Sequence, residues 1–246
     1  MRALVVSDVH GNLHALQAVL EAAGSFDELW NLGDAVGYGA HPNEVLQLLR
    51  DRATVNVRGN HDRACSGLSD THSFNPVAAQ AAAWTEGTLT PENLAWLKAM
   101  PKGPLQASDL AACAHGSPLH EDQYILSMRD AWTPLQRMTT PITFFGHTHV
   151  QGAFAQQGAE WEEVHPQYDA AGESPLPLGA EARYLVNPGS VGQPRDRDPR
   201  AAFAIYDSEQ SCVTFRRTAY DVPAAQASIR AAGLPERLAS RLETGR

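Results

Sequence analysis

The amino-acid sequence predicts an α/β fold in a single domain that spans residues 1–246. Three observations lead to this prediction. The first part of the chain alternates short β-branched runs with helix-like stretches, and the second part is rich in alternating β segments. The chain is also long enough for one large domain with a substantial buried core.

Strand and helix signals alternate at the start of the chain. A helix is predicted to begin near Leu13 and to end at Gly24, and a second one to begin at Pro42. The runs that flank these helices have strand character, at 3–6, 29–32 and 54–57. Since strand, helix, strand is the parallel crossover unit, we expect the three strands to form a parallel sheet.

The rest of the chain is predicted to change from helical segments to segments rich in β-strands. Residues 75–100 are predicted to be helical, with a start signal at Thr90 and Pro91. Two more strands are predicted at 110–114 and 142–145. Beyond His149 we expect a second sheet packed on the first, built from 150–155, 161–164, 183–186, 202–206 and 212–216. The stretch 166–179 is predicted to be an exposed loop, and 222–242 one or two amphipathic helices.

Composition and charge exclude several classes of protein. A formal net charge of -9 argues against a general nucleic-acid binder, because phosphate-backbone affinity is built from Lys and Arg. No apolar run is long enough to span a membrane, and the N-terminus lacks the pattern of a signal peptide, so we expect a cytoplasmic protein. Three widely spaced cysteines suit reduced thiols better than disulfides.

Polar side chains follow the first three predicted strands at a constant interval. Asp8, Asp34 and Asn60 are each 26 residues apart, which is close to the length of one crossover unit. Open parallel sheets place their ligand sites at the carboxyl ends of the strands. The three side chains are therefore predicted to converge on one spot.

Further polar residues follow the other strands of the first part of the chain. The full set is Asp8, His10, Asp34, Asn60, His61, His115, His147 and His149. Carboxylates, an amide and imidazoles without thiolates suit a hard to borderline cation. We predict Mn²⁺, with Fe or Zn²⁺ as alternatives.

These motifs resemble the calcineurin-like metallophosphoesterase family, whose signature is DxH, GD, GNH[DE], H and GHxH in that order. All five blocks are present between residues 4 and 149, and NPGSVGQPR at 187–195 resembles a later loop of small bacterial members. The overall pattern is most similar to small bacterial phosphodiesterases and to a diadenosine-tetraphosphatase-like group. The resemblance implies a four-layer α/β/β/α sandwich of two mixed sheets.

The resemblance also implies a role for each motif residue. One divalent metal ion would be held by Asp8, His10, Asp34 and His149, and a second by Asp34, Asn60, His115 and His147. Two such cations can activate a water and clamp the phosphoryl oxygens during an in-line displacement. His61 is the expected general acid, with Asp62 orienting it. Asn12 and Arg195 are expected to bind the substrate.

The predicted function is hydrolysis of phosphodiester or phosphoanhydride bonds by a metal-activated hydroxide, on a small nucleotide-like phosphoester. The alternatives are a phosphomonoesterase or protein phosphatase, and a non-catalytic metal-binding scaffold of the same fold. Gly37 and Tyr38 stand where the protein phosphatases of the superfamily carry an Asp and an Arg, which disfavours that function. Arg195, Arg197 and Arg200 could replace the missing guanidinium or be solvated loop charges. The oligomeric state is left open.

Overall fold

The computed structural model describes residues 1–246 and contains two six-stranded sheets that face each other. The first sheet has the spatial order β3 (Val55–Asn56), β2 (Glu28–Asn31), β1 (Arg2–Val6), β11 (Ala201–Asp207), β12 (Cys212–Thr218) and β9 (Glu173–Pro177). The three strands from β1 to β3 are parallel, as predicted, and the other pairs are antiparallel. The sheet is therefore mixed.

The second sheet is also mixed. Its order is β4 (Leu105–Gln106), β5 (Ala111–Cys113), β6 (Ile142–Phe144), β10 (Ala182–Asn187), β7 (Gly152–Gln157) and β8 (Glu160–Val164). Strands β5, β6 and β10 run parallel, whereas β4, β7 and β8 pair antiparallel with their neighbours. The carboxyl ends of β5 and β6 consequently meet at one edge of this sheet.

Helices cover the outer faces of both sheets. The N-terminal ones are α1 (Leu13–Ala23), α2 (Pro42–Arg52), α3 (Asn60–Cys65), α4 (Pro76–Thr88) and α5 (Pro91–Ala99). They are followed by α6 (Met128–Arg137), α7 (Val222–Ala231), α8 (Glu236–Ser240) and a 3₁₀ turn at Arg241–Glu243. None of them combines the length and the apolar composition that crossing a bilayer requires.

The predicted helix starts are confirmed, and each has a local cause. Asn12 caps α1 by accepting from the Ala15 N–H at 3.1 Å, and Gly24 ends the helix with a φ of 69°. Pro42 is the first residue of α2. Within the segment 75–100, Thr90 caps α5 and separates it from α4.

The core has three apolar layers. Side chains of β1 alternate, so that Leu4 and Val6 pack on α1 and α2 while Ala3 and Val5 face the second sheet. Between the sheets, the Trp30 ring lies 5.8 Å from both Phe144 and Tyr206. The third layer joins α6 to the outer face of the second sheet. The result is the predicted α/β/β/α sandwich.

Two strand predictions were wrong. The segments after His149 do not form a separate second sheet, because β11 and β12 join the first sheet and β7, β8 and β10 join β5 and β6. The stretch 166–179 is not only a loop, since it contains β9, which pairs with β12. Both errors concern long-range pairing, which periodicity along the chain does not specify.

Candidate metal centre and active site

The predicted ligand residues converge at the edge where strands of both sheets end. Six of them are buried and form two groups, within each of which the ligand atoms lie within 4.8 Å of one another. The first group is Asp8, His10, Asp34 and His149, and the second is Asp34, His115 and His147. Because Asp34 belongs to both groups, they are adjacent.

The first group is built around two imidazoles and two carboxylates. Nε2 of His10 lies 3.2 Å from Nε2 of His149 and 3.7 Å from Oδ2 of Asp34. Nε2 of His149 lies 3.3 Å from Oδ1 of Asp8. These atoms point at one another from three separate loops.

The second group is centred on His115. Its Nε2 lies 3.5 Å from Oδ2 of Asp34, 3.1 Å from Nδ1 of His147 and 3.2 Å from Oδ1 of Asn60. The structure therefore brings Asn60, the amide in the predicted set, to the second group. All seven residues predicted as ligands thus lie at the two groups.

Each of the four histidines bonds a backbone carbonyl with the ring nitrogen that faces away from the group. The acceptors are Val36 for His10 at 3.1 Å, Leu32 for His115 at 2.9 Å, Asp122 for His147 at 3.2 Å and Gln193 for His149 at 2.6 Å. A carbonyl oxygen only accepts, so these ring nitrogens must donate. The inward nitrogen of each neutral ring then carries a lone pair, as metal ligation requires.

The residues present fit divalent cations. Oδ1 of Asp8 is buried without a hydrogen-bond partner, and facing lone pairs on imidazoles only 3.1–3.2 Å apart need an electrophile between them. Burial opposes a charge on His115, but the carboxylate of Asp34 raises the pKa of this imidazole to about 10. The site thus attracts a positive charge, and a bound cation would displace that proton.

The ligand loops have unusual backbone conformations. Asp8, His10, Asp34, His147 and His149 all have φ between 50° and 67°, where L residues rarely lie. Such strain persists when the surrounding structure enforces it, and it concentrates at functional sites. Gly59 allows a close approach of the backbone, because a Cβ there would lie 2.1 Å from Oδ1 of Asp34.

His61 lies beside the two groups and contacts neither of them as a ligand. Its ring is held between Tyr38 and Phe74, with centroids 4.4 Å and 4.5 Å away, and its Nδ1 is buried without a hydrogen-bond partner. Burial lowers the pKa of His61 to about 4. Gly37 makes room for the ring, since a Cβ at that position would lie 2.6 Å from Nδ1.

Asp62 does not orient His61, so that prediction was wrong. Its carboxylate instead accepts backbone N–H groups of Asp34 and Gly59, each at 2.8 Å, and of Val36 at 3.3 Å. These bonds tie the loop after β2 to the loop after β3. Asp62 is therefore a positioning residue for two ligand loops.

The comparison with known proteins gives the family. Residues 1–211 match the calcineurin-like phosphoesterase superfamily domain. The chain belongs to this family. It is accordingly a metal-dependent phosphoester hydrolase, which agrees with the two ligand groups.

Individual relatives of this phosphoesterase cover all or part of the chain. A metallophosphoesterase from Sphaerobacter thermophilus superimposes with a TM-score of 0.88 and 41% identity, covering 100% of this chain and 99% of the other. An uncharacterized protein of Methanocaldococcus jannaschii is 34% identical over 98% of this chain and 97% of its own. A symmetrical bis(5′-nucleosyl)-tetraphosphatase of Psychromonas ingrahamii is 33% identical over 41% of this chain and 38% of its own.

A cavity of about 630 Å³ opens next to the ligand groups of the phosphoesterase. Asp34, Asn60, His61, His147 and His149 line its inner end. Tyr124 lines it as well and stacks on His147, with ring centroids 3.9 Å apart. Substrates can therefore reach both ligand groups and His61 from the same side.

The two predicted substrate-binding residues differ in position. Arg195 lines the cavity, whereas the Asn12 side chain does not. The amide of Asn12 caps α1 and donates to the Gly192 carbonyl at 3.0 Å, so its polar atoms are engaged in holding two loops together. Of the other two loop arginines, Arg200 pairs with Asp198, and neither it nor Arg197 lines the cavity.

Sequence reasoning missed two arginines of the cavity. Arg237 of α8 and Arg241 of the 3₁₀ turn line it together with Arg195. Tyr38, at the position where protein phosphatases carry an Arg, packs on His10 with ring centroids 4.5 Å apart. Guanidinium groups are thus supplied from the C-terminal part of the chain and not from the second motif.

Proposed function

We propose that this chain is a dinuclear metal-dependent phosphoesterase that cleaves phosphodiester or phosphoanhydride bonds in small nucleotide-like substrates. The observation that carries the proposal is the sharing of Asp34 by two ligand groups. One bridging carboxylate between two sets of imidazoles is the arrangement expected of a two-metal hydrolase. Mn²⁺ as the preferred ion and a cytoplasmic location are part of the same proposal.

The metal ions, the backbone carbonyls and His61 would have separate roles in the hydrolysis. Bound divalent cations supply Lewis acidity toward the phosphoryl oxygens and the attacking water. Backbone carbonyls of Val36, Leu32, Asp122 and Gln193 keep the four imidazoles turned inward. His61 would deliver a proton to the leaving oxygen, because it lines the cavity next to the ligand groups without belonging to them. The negative charge of a bound phosphate would raise the pKa of this ring from about 4 and so favour its protonated form.

The size of the cavity and one relative support a small substrate. A volume of about 630 Å³ lies within the range typical of small-molecule sites. The relative from Psychromonas ingrahamii is named for the hydrolysis of bis(5′-nucleosyl) tetraphosphates, which contain phosphoanhydride bonds. Phosphoanhydrides of nucleotides therefore belong in a substrate panel beside simple diesters.

The test is hydrolysis of a chromogenic bis-ester with added Mn²⁺, using wild type, Asp34→Asn and Asp51→Asn. We expect Asp34→Asn to lose both metal and at least about 100-fold in turnover, because an amide cannot bridge two cations as a carboxylate does. Asp51 is exposed and its carboxylate accepts only from Gln47, so its variant should match wild type.

Two results together would refute the proposal. The first is a purified protein that stays inert on a broad phosphoester panel with every divalent metal. The second is an Asp34→Asn protein whose metal content equals that of wild type. Turnover by wild type with loss of metal and activity in Asp34→Asn supports it.

A further inference from the structure

The C-terminal segment beyond the matched family domain contributes charge to the cavity. In α8 and the following turn, Leu238 and Leu242 are buried against the apolar cluster that contains Tyr38 and Ala78. Arg237 and Arg241 have the same spacing of four residues and occupy the neighbouring helical face. Both arginine side chains line the cavity.

Hydrogen bonds fix this segment in place. The buried amide of Gln226 donates to the carbonyl of Ala239 at 3.0 Å, which joins α7 to α8. The backbone N–H of Arg197 donates to the carbonyl of Gly245 at 2.8 Å. This second bond connects the segment to the loop that carries Arg195, so the three guanidinium groups are held around the same space.

No side-chain carboxylate pairs with these three arginines, although Nε of Arg241 donates to the main-chain oxygen of Arg246. Other arginines of this part of the chain do have a carboxylate partner, since Arg217 pairs with Asp196 and Arg230 with Glu236. Nε of Arg195 is buried without a hydrogen-bond partner. Burial, and then the positive charge of Arg195, lower the pKa of Arg241. Positive charges gathered beside a cavity and only partly compensated favour the binding of an anion.

Arg237 lies away from the place where the reacting phosphate would bind. The reacting phosphate must lie against the buried ligand groups at the inner end, whereas Arg237 is exposed at the outer rim. Asp34 is the only carboxylate that lines the cavity, and it serves as a ligand. Guanidinium groups bind phosphate through paired N–H donors, so a second phosphate is the chemical group that fits.

We propose that Arg195, Arg237 and Arg241 form an anion subsite that binds a second phosphate next to the scissile one. The enzyme therefore selects phosphoesters and phosphoanhydrides that carry at least two phosphates over simple diesters. This inference rests on the proposed hydrolytic function, and it makes the C-terminal segment the determinant of substrate choice.

The test compares two substrates in Mn²⁺-loaded enzyme. Diadenosine tetraphosphate has phosphates beside the scissile one, and bis(p-nitrophenyl) phosphate has none. For Arg237→Gln and Arg241→Gln we expect KM for the tetraphosphate to rise about tenfold, with a much smaller change in kcat, because a charged hydrogen bond is lost. The ratio of kcat/KM between the two substrates should fall by a similar factor. Arg230→Gln, on the same segment but paired with Glu236 outside the cavity, is the matched control.

Binding of inorganic pyrophosphate separates this inference from the hydrolytic proposal. Calorimetry on the Mn²⁺-loaded proteins should show binding about tenfold weaker in the Arg237→Gln and Arg241→Gln variants than in Arg230→Gln. Equal loss on both substrates, or pyrophosphate affinity that is the same in all three variants, would overturn the subsite. A protein that hydrolyses nothing but still shows the affinity difference would refute the hydrolytic function and retain the subsite.

Discussion

The carboxylate of Asp34 contacts both candidate metal-binding groups and the backbone of His61. Its Oδ2 lies 3.7 Å from Nε2 of His10 in one ligand group and 3.5 Å from Nε2 of His115 in the other. Its Oδ1 accepts the backbone N–H of His61 at 2.8 Å. The same carboxylate therefore fixes the spacing of the two groups and the position of the expected general acid.

The role of His61 leads to a prediction about turnover and metal content. We expect His61→Ala to lower kcat by about 100-fold or more, the usual size of a lost proton transfer, while metal content stays at the wild-type level. The reason is that the ring lines the cavity but belongs to neither ligand group. Metal analysis and steady-state kinetics on the same preparation measure both quantities.

His165→Ala is the control for this prediction, because His165 is exposed and lies outside the site. Its kinetics and metal content should equal those of wild type. If His61→Ala lost metal in proportion to turnover, the imidazole would be a ligand and the assignment as general acid would be wrong.

The convergence of the candidate ligand residues could be predicted from the sequence, whereas the cavity arginines could not. Asp8, Asp34 and Asn60 follow strands at a constant spacing, so local periodicity alone placed them together. Arg237 and Arg241 stand on a short helix with no motif around them, where a solvated charge is the usual state. Only the packing of Leu238 and Leu242 turns them toward the cavity.

At the scale of single elements, strands were predictable but their partners were not. The runs that form β10 and β11 are visible in the sequence, yet β10 pairs with β6 and β7 while β11 pairs with β1 and β12. A pattern of apolar residues indicates that a segment is a half-buried or buried strand. It does not indicate which strand pairs with it. Pairing of β1 with β11 joins residues about 200 positions apart, as Arg2 and Asp207 show.

Two glycines, one within a helix and one just after a helix, allow a prediction about backbone conformation alone. Gly87 lies within α4, Gly24 ends α1 with a φ of 69°, and an added Cβ would meet nothing within 4 Å at either position. Gly87→Ala should therefore stabilise the fold by about 0.5 kcal/mol, because alanine loses less entropy in a helix. Gly24→Ala should destabilise it by about 2 kcal/mol, because φ 69° with ψ -141° is a conformation nearly confined to glycine.

Urea unfolding of the two variants and wild type measures this difference. Because neither substitution creates a contact, any change comes from the backbone conformation. A shift in the same direction for both variants would contradict the helical conformation of Gly87 or the positive φ of Gly24.

At the scale of the molecule, the site exists because two sheets end at the same edge. Asp8 and Asp34 follow strands of the first sheet, and His115 and His147 follow strands of the second. The apolar layer between the sheets, with Trp30 and Phe144 among its largest side chains, holds these strand ends in register. Neither sheet alone carries both ligand groups, so binding of metal depends on the packing between the sheets.

Anomalous diffraction from crystals of the Mn²⁺-loaded protein tests the central claim most directly. If the protein holds two metal ions, two peaks should appear about 3.5 to 4 Å apart with the carboxylate of Asp34 between them. One peak should be ligated by Asp8, His10 and His149, and the other by Asn60, His115 and His147. A single peak, or peaks coordinated by residues outside this set, would contradict the claim.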